Sequence, residues 1–226
     1  MKTFKQFIKE NWMYHGTDRE IKGSLRRNQH ASSLHDALGV HMAADHEVSH
    51  VFAVGDRRKG RYDENPHPAI FRFKRPPRSK LHTIKQDVSD FDSSAVDRHV
   101  IHTVMSHPEG KEHFIDHVHN RIGYSKQEAE HIHKTLSMGK PYREDRYDHV
   151  HNNIKGFLNF HDAHAHYNAY NTPKIVDTYH KIMKQRGIHG LVYRNTDRIE
   201  TQHIRQDGRR GSTKTYIMFP HSGVVK

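Results

Sequence analysis

Three short groups of residues carry the chemistry open to this chain. Tyr14-His15-Gly16-Thr17 sets an imidazole at what reads as a strand end, next to a glycine. A glycine there lets backbone approach a ligand closely while the imidazole bonds it. Gly39-Val40-His41-Met42-Ala43 reads as a second strand, and Asp45-His46-Glu47-Val48-Ser49-His50-Val51-Phe52 as a helix behind it. Ser49 and Phe52 are three apart and share a helical face, so a hydroxyl and an aromatic ring project together. The third group, far along the chain, is Thr213-Lys214-Thr215-Tyr216-Ile217-Met218-Phe219-Pro220, a strand-like run.

The elements that must hold these groups follow from periodicity. Residues 2–11 form an amphipathic stretch with Phe4, Phe7 and Ile8 on one helical face. Residues 12–84 mix strands with turn signals, and Phe71-Arg72-Phe73-Lys74 stops at Arg75-Pro76-Pro77, because proline cannot continue a regular ladder. From about 89 to 186 the spacing is helical: Val96, Val100 and Val104 share a face, as do Phe114, Val118 and Ile122, and Ile175, Tyr179 and Ile182. Strand character returns in Gly190-Leu191-Val192-Tyr193 and Tyr216-Ile217-Met218-Phe219. Strands at both ends of a helical middle imply that the outer segments meet in one sheet. The expectation is one α+β domain over residues 12–226, with a His-rich helical insertion at about 89–186 and residues 1–11 as a leader.

These groups together resemble the NAD-binding core of ADP-ribosyltransferases of the diphtheria-toxin and poly-ADP-ribose-polymerase type. In that family a His-Gly-Ser/Thr strand grips NAD, the imidazole on the nicotinamide-ribose hydroxyl and the glycine backbone on the carboxamide. His15, Gly16 and Thr17 stand in those places, preceded by Tyr14. Gly39-Val40-His41-Met42-Ala43 is similar to the family's Gly-x-Tyr-Phe-Ala strand, with His41 where polymerase-like members stack a tyrosine. Ser49 falls where a serine bonds the carboxamide, and Phe52 where an aromatic stacks on the nicotinamide ring. Ala69-Ile70-Phe71-Arg72-Phe73-Lys74-Arg75-Pro76 and Gly187-Ile188-His189-Gly190-Leu191-Val192-Tyr193-Arg194-Asn195 resemble blocks of the small phage and polyvalent-protein branch. Thr215 occupies the place of the catalytic glutamate, which in the family stabilises an oxocarbenium-like transition state; a neutral hydroxyl supplies less of that stabilisation. Glu200, in the loop 195–202, is the candidate substitute carboxylate, the alternative for it being a solvated loop charge, and Asp197 is a further candidate behind it.

The resemblance implies a split, mixed but mostly antiparallel sheet with an NAD cleft. It implies cleavage of the nicotinamide–ribose bond and transfer of ADP-ribose to a host protein or nucleic-acid acceptor, with NAD as co-substrate and no metal. The catalytic residues would be His15, His41 and Glu200, with Tyr14, Gly16, Thr17, Met42, Ala43, Ser49, Phe52 and Thr215 completing the NAD contacts. The rival expectations are an inactive member of the fold that binds without chemistry, a virion-associated protein, and an enzyme like the RNA 2′-phosphotransferases.

Composition narrows the partners. Among 226 residues, Lys and Arg exceed Asp and Glu by 11 (37 against 26), an excess that favours acidic acceptors through phosphate neutralisation and steering. The absence of cysteine excludes disulfides and thiolate metal sites. Apolar residues make up 33% and mean hydropathy is -0.98, with no apolar run long enough for a membrane span. The 25 histidines include His117-Val118-His119 and His131-Ile132-His133, whose members face different sides of a helix. His113 with His117, or His161 with His164, have workable chelating spacing, and the expectation is a surface habit without a metal. Met1-Lys2-Thr3-Phe4-Lys5-Gln6-Phe7-Ile8-Lys9-Glu10 resembles leaders of tailed-phage proteins, with Ile8-Lys9-Glu10 matching a hydrophobic-x-Glu maturation-cleavage pattern. That likeness implies action in the host cytoplasm after packaging in the virion and injection.

Overall fold

β1 (Trp12–Thr17) buries Met13 completely and leaves its other residues half-exposed. It belongs to a six-stranded sheet of order β3-β1-β2-β6-β5-β4, in a computed structural model that describes residues 12–17, 25, 33–54, 69–88, 94–137, 154–196 and 213–224. The other strands are β2 (Val40–Ala43), β3 (Ala69–Lys74), β4 (Leu81–Val88), β5 (Gly190–Asn195) and β6 (Thr213–Met218). Every neighbouring pair is antiparallel except β4 with β5, so the domain is α+β around a mostly antiparallel sheet. The leader 1–11, Asp197 and Glu200 lie outside the described residues.

The parallel pair explains the helical middle. Two parallel neighbours cannot be joined by a tight turn and need a long crossover. Between β4 and β5 the chain runs through α3 (Ser94–Met105), α4 (Pro108–His117), a π turn over Val118–Ile122, α5 (Lys126–Ser137) and the long α6 (Ile154–Gln185). The short α1 (Leu34–Ala37) precedes β2, and α2 (His46–Val54) follows it.

The chain divides into two compact units, Met1–Asp97 with Met183–Lys226, and Arg98–Ile182. The first contains the sheet. One face of that sheet packs Met13, Val40, Met42, Tyr216 and Met218 with Leu25 into a buried cluster. Each such side chain contributes roughly 1.5–3 kcal/mol through removal from water. β1 and β3 pair along six residues, from Trp12 with Lys74 to Thr17 with Ala69. β1 and β2, by contrast, pair only through Tyr14 and Ala43, so the sheet forks there.

The second unit has its own core. Val100, Val104, Phe114, Val118, Tyr167 and Tyr179 are fully buried or nearly so, and the Phe114 and Tyr167 rings meet edge-on at 5.1 Å. Its histidines correct one expectation from sequence. His117 and His133 are core residues, not surface ones: His133 donates from Nε2 to the Met105 carbonyl at 2.8 Å, and His117 Nδ1 lies 3.0 Å from Asn171 Nδ2. Imidazole is large enough to pack and polar enough to satisfy a buried carbonyl, so helical composition alone did not reveal them. No helix among the described residues is long and apolar enough to cross a membrane.

Candidate functional site

The fork between β1 and β2 gathers most of the residues singled out from sequence. Strand alternation puts His15 on the Met13 and Met42 face, and Tyr14, Gly16, His41 and Ala43 on the other. Tyr14, Ala43, Thr215 and Tyr193 are successive cross-strand partners, a single row across β1, β2, β6 and β5. Where the backbone ladder between β1 and β2 stops, the His15 ring takes over: its Nδ1 donates to the His41 carbonyl at 2.8 Å. A carbonyl only accepts, so the proton sits on Nδ1 and the lone pair of the neutral ring is on Nε2. Burial keeps that ring below the usual histidine range, partly opposed by the bond to the carbonyl.

α2 closes the fork on the Gly16 side. The helix starts at Asp45, whose carboxylate accepts from the Glu47 N–H at 3.0 Å, satisfying one of the free donors of the first turn. Gly16 rests on the helix backbone so closely that a Cβ would fall 1.7 Å from the Ser49 carbonyl oxygen. Its φ is not positive, so space alone dictates glycine. Ser49 is itself buried, and the Tyr14 and His46 rings meet edge-on at 5.4 Å. Phe52 belongs to the same helix, but its side chain lies outside the described residues.

On this same face, at His41, α1 brings residues that sequence reasoning missed. Ser33 caps the helix by accepting from the Asp36 N–H at 3.1 Å, and its hydroxyl donates to Asp36 Oδ2 at 2.7 Å. His35 Nε2 meets the Tyr193 hydroxyl at 3.1 Å, and the His35 and His41 rings stand edge-on with centroids 4.5 Å apart. His41 Nε2 donates to the His35 carbonyl at 3.2 Å. His41 therefore faces a second imidazole, an arrangement its strand position alone does not announce. Desolvation pushes His41 down to about 4, helped by His35 and opposed by the Asp36 charge. The hydrogen bond from His35 holds the Asp36 carboxyl down at about 2 against desolvation, and Ser33 adds to it. The only signal for this group in sequence is Ser33-Leu34-His35-Asp36, a capping pattern.

Thr215 is buried in β6 and accepts from Asn195 Nδ2 at 3.3 Å. The structure thus brings together Tyr14, His15, Gly16, Thr17, His41, Met42, Ala43 and Ser49 around the fork, with Thr215 one strand away beside Ala43. Comparison with protein-family models, curated proteins and solved structures gave no match.

Proposed function

We propose that the fork between β1 and β2 is an NAD site and that the protein is an ADP-ribosyltransferase acting on a host protein or nucleic acid. The observation that carries this reading is the joint at the fork: His15 tied to the His41 carbonyl, with Gly16 pressed onto the backbone at Ser49. Strands that diverge after one pair leave backbone N–H and C=O groups edge to edge, the groups a planar carboxamide needs. His15, held by Nδ1, keeps Nε2 as acceptor for a ribose hydroxyl. Ser49 and the Gly16 backbone would hold the amide, with Tyr14, Thr17, Met42, Ala43 and Phe52 around it. Glu200 would polarise the ribose as the glycosidic bond breaks through charge stabilisation, and the basic excess suits an acidic acceptor.

A second reading has its own observation. Thr215, in the place of the family's glutamate, is buried and engaged by Asn195, which suits a fold that binds nucleotide without chemistry. Labelled NAD incubated with the protein and host lysate separates the two. Label transfer that is lost in His15→Ala and Glu200→Ala supports the enzyme. NAD binding without transfer, gained in Thr215→Glu, supports the inactive form. Failure of NAD to bind, or full turnover by His15→Ala, overturns the assignment of the NAD site to this fork.

A further inference from the structure

We infer that His35, Asp36 and His41 form a binding site for one divalent transition-metal cation of the zinc class. Each residue brings one ligand atom to within 4.8 Å of the other two. The His35 Nδ1 to Asp36 Oδ1 separation is 3.6 Å. Ligands about 2.0–2.2 Å from a tetrahedral zinc lie roughly 3.3 Å from one another, so this edge is already close to length and small side-chain rotations bring His41 in.

The surrounding bonds are those of an oriented ligand set. Metal-binding histidines and carboxylates have their second polar atom engaged by outer partners, which fix ring orientation and tautomer. Here Ser33 donates to Asp36 Oδ2, leaving Oδ1 toward His35. The Tyr193 hydroxyl meets His35 Nε2, leaving Nδ1. His41 donates from Nε2 to the His35 carbonyl, so the lone pair of its neutral ring sits on Nδ1. Two imidazoles and one carboxylate suit zinc and its neighbours in the transition series, whereas magnesium and calcium favour all-oxygen cages. Three protein ligands leave the fourth position open, and the Asp36 side chain, 60% exposed, gives the ion a path from solvent. The metal site does not depend on the NAD reading, although both draw on His41.

The test is a zinc titration of the full chain near neutral pH by calorimetry, repeated with cobalt to read ligand-field absorption. The expected result is one equivalent bound well above the background of the other histidines, with a tetrahedral cobalt spectrum. Asp36→Asn and His35→Gln should lower that affinity at least tenfold, and Tyr193→Phe by about tenfold through lost orientation. His131→Gln, on an exposed helical face, should leave it unchanged. Asp36 is exposed, so Asp36→Asn keeps the fold, which circular dichroism checks. A wild-type protein without a stoichiometric site, or one whose site survives both ligand substitutions, overturns the proposal.

Discussion

Gly16→Ala isolates the contact on which the fork depends. The added methyl would sit 1.7 Å from the Ser49 carbonyl oxygen, 2.7 Å from its carbon and 3.1 Å from the Ala53 nitrogen. Ordinary contact needs about 3.5 Å, so β1 and α2 must separate by roughly 1.8 Å or the helix must turn. All three obstacles are backbone, which cannot swing aside as a side chain would. Overpacking of a well-filled site costs about 1–3 kcal/mol, and a backbone obstacle belongs at or above the upper end. Against a typical total of about 5–15 kcal/mol that is a large fraction. Urea unfolding followed by Trp12 fluorescence is the natural assay. Trp12 is the sole tryptophan, it lies in β1, and the Arg72 guanidinium sits 4.3 Å above its ring. The alanine variant should lose at least about 3 kcal/mol, whereas Gly223→Ala, at φ 75° with nothing near its Cβ, should lose only about 1 kcal/mol. A Gly16→Ala loss below about 1 kcal/mol would mean that β1 and α2 are not packed as described, and the fork would lose its closed side.

Further outcomes follow from other contacts. Ser125→Ala should cost about 1 kcal/mol by urea titration, because it dismantles a capping box in which Ser125 Oγ accepts from the Glu128 N–H and the Glu128 carboxylate accepts from Ser125; Ser125→Thr should restore it. Thr215→Val removes the acceptor for Asn195 in a buried pair and should lower stability by about 1 kcal/mol, with an unchanged unfolding midpoint counting against that bond. Burial, chiefly, holds His82, His113, His133 and His189 below the usual histidine range. The unfolded chain therefore takes up protons first as pH falls. Their contribution is fully present above about pH 6.5 and is lost as pH drops from there toward the lower folded values. The thermal midpoint should fall between neutral and mildly acid pH, and less steeply in His133→Gln; a flat or rising midpoint would contradict the sign.

Much of the sheet was legible because β1, β2, β5 and β6 sit in short apolar runs bounded by turn residues. β4 was not. Its apolar residues Leu81, Ile84 and Val88 are three and four apart, the spacing of a helix. The strand earns that pattern by being apolar toward both faces: Leu81 packs against the Met13 cluster while Ile84 is buried, and its register against β5 shifts between Thr83 and Asp87. The fork was legible as two motifs, His15-Gly16 and the strand with its helix. What ties them, the Gly16 approach to Ser49, is a distance that no one-dimensional pattern contains. The His35, Asp36 and His41 group was hidden for a similar reason. Two of its members lie on a single helical turn, the third lies in the next strand, and Tyr193 is 158 residues from His35.

The place of β6 in the sheet constrains how the protein is made. It lies between β2 and β5 and is the last of the six strands in sequence. During synthesis, β1, β2 and β3 can pair as one ribbon and β4 with β5 as another, but among the described residues no strand joins the ribbons until β6 emerges. Until then each ribbon carries an open edge whose hydrogen-bonding groups are meant for the missing strand, the kind of edge that recruits other chains. β6 then fills both edges in one step, covering β2 from Val40 to Ala43 and β5 from Gly190 to Asn195. Closure of the sheet is therefore a late event of high sequence separation, and crowding during expression acts on the protein in that interval.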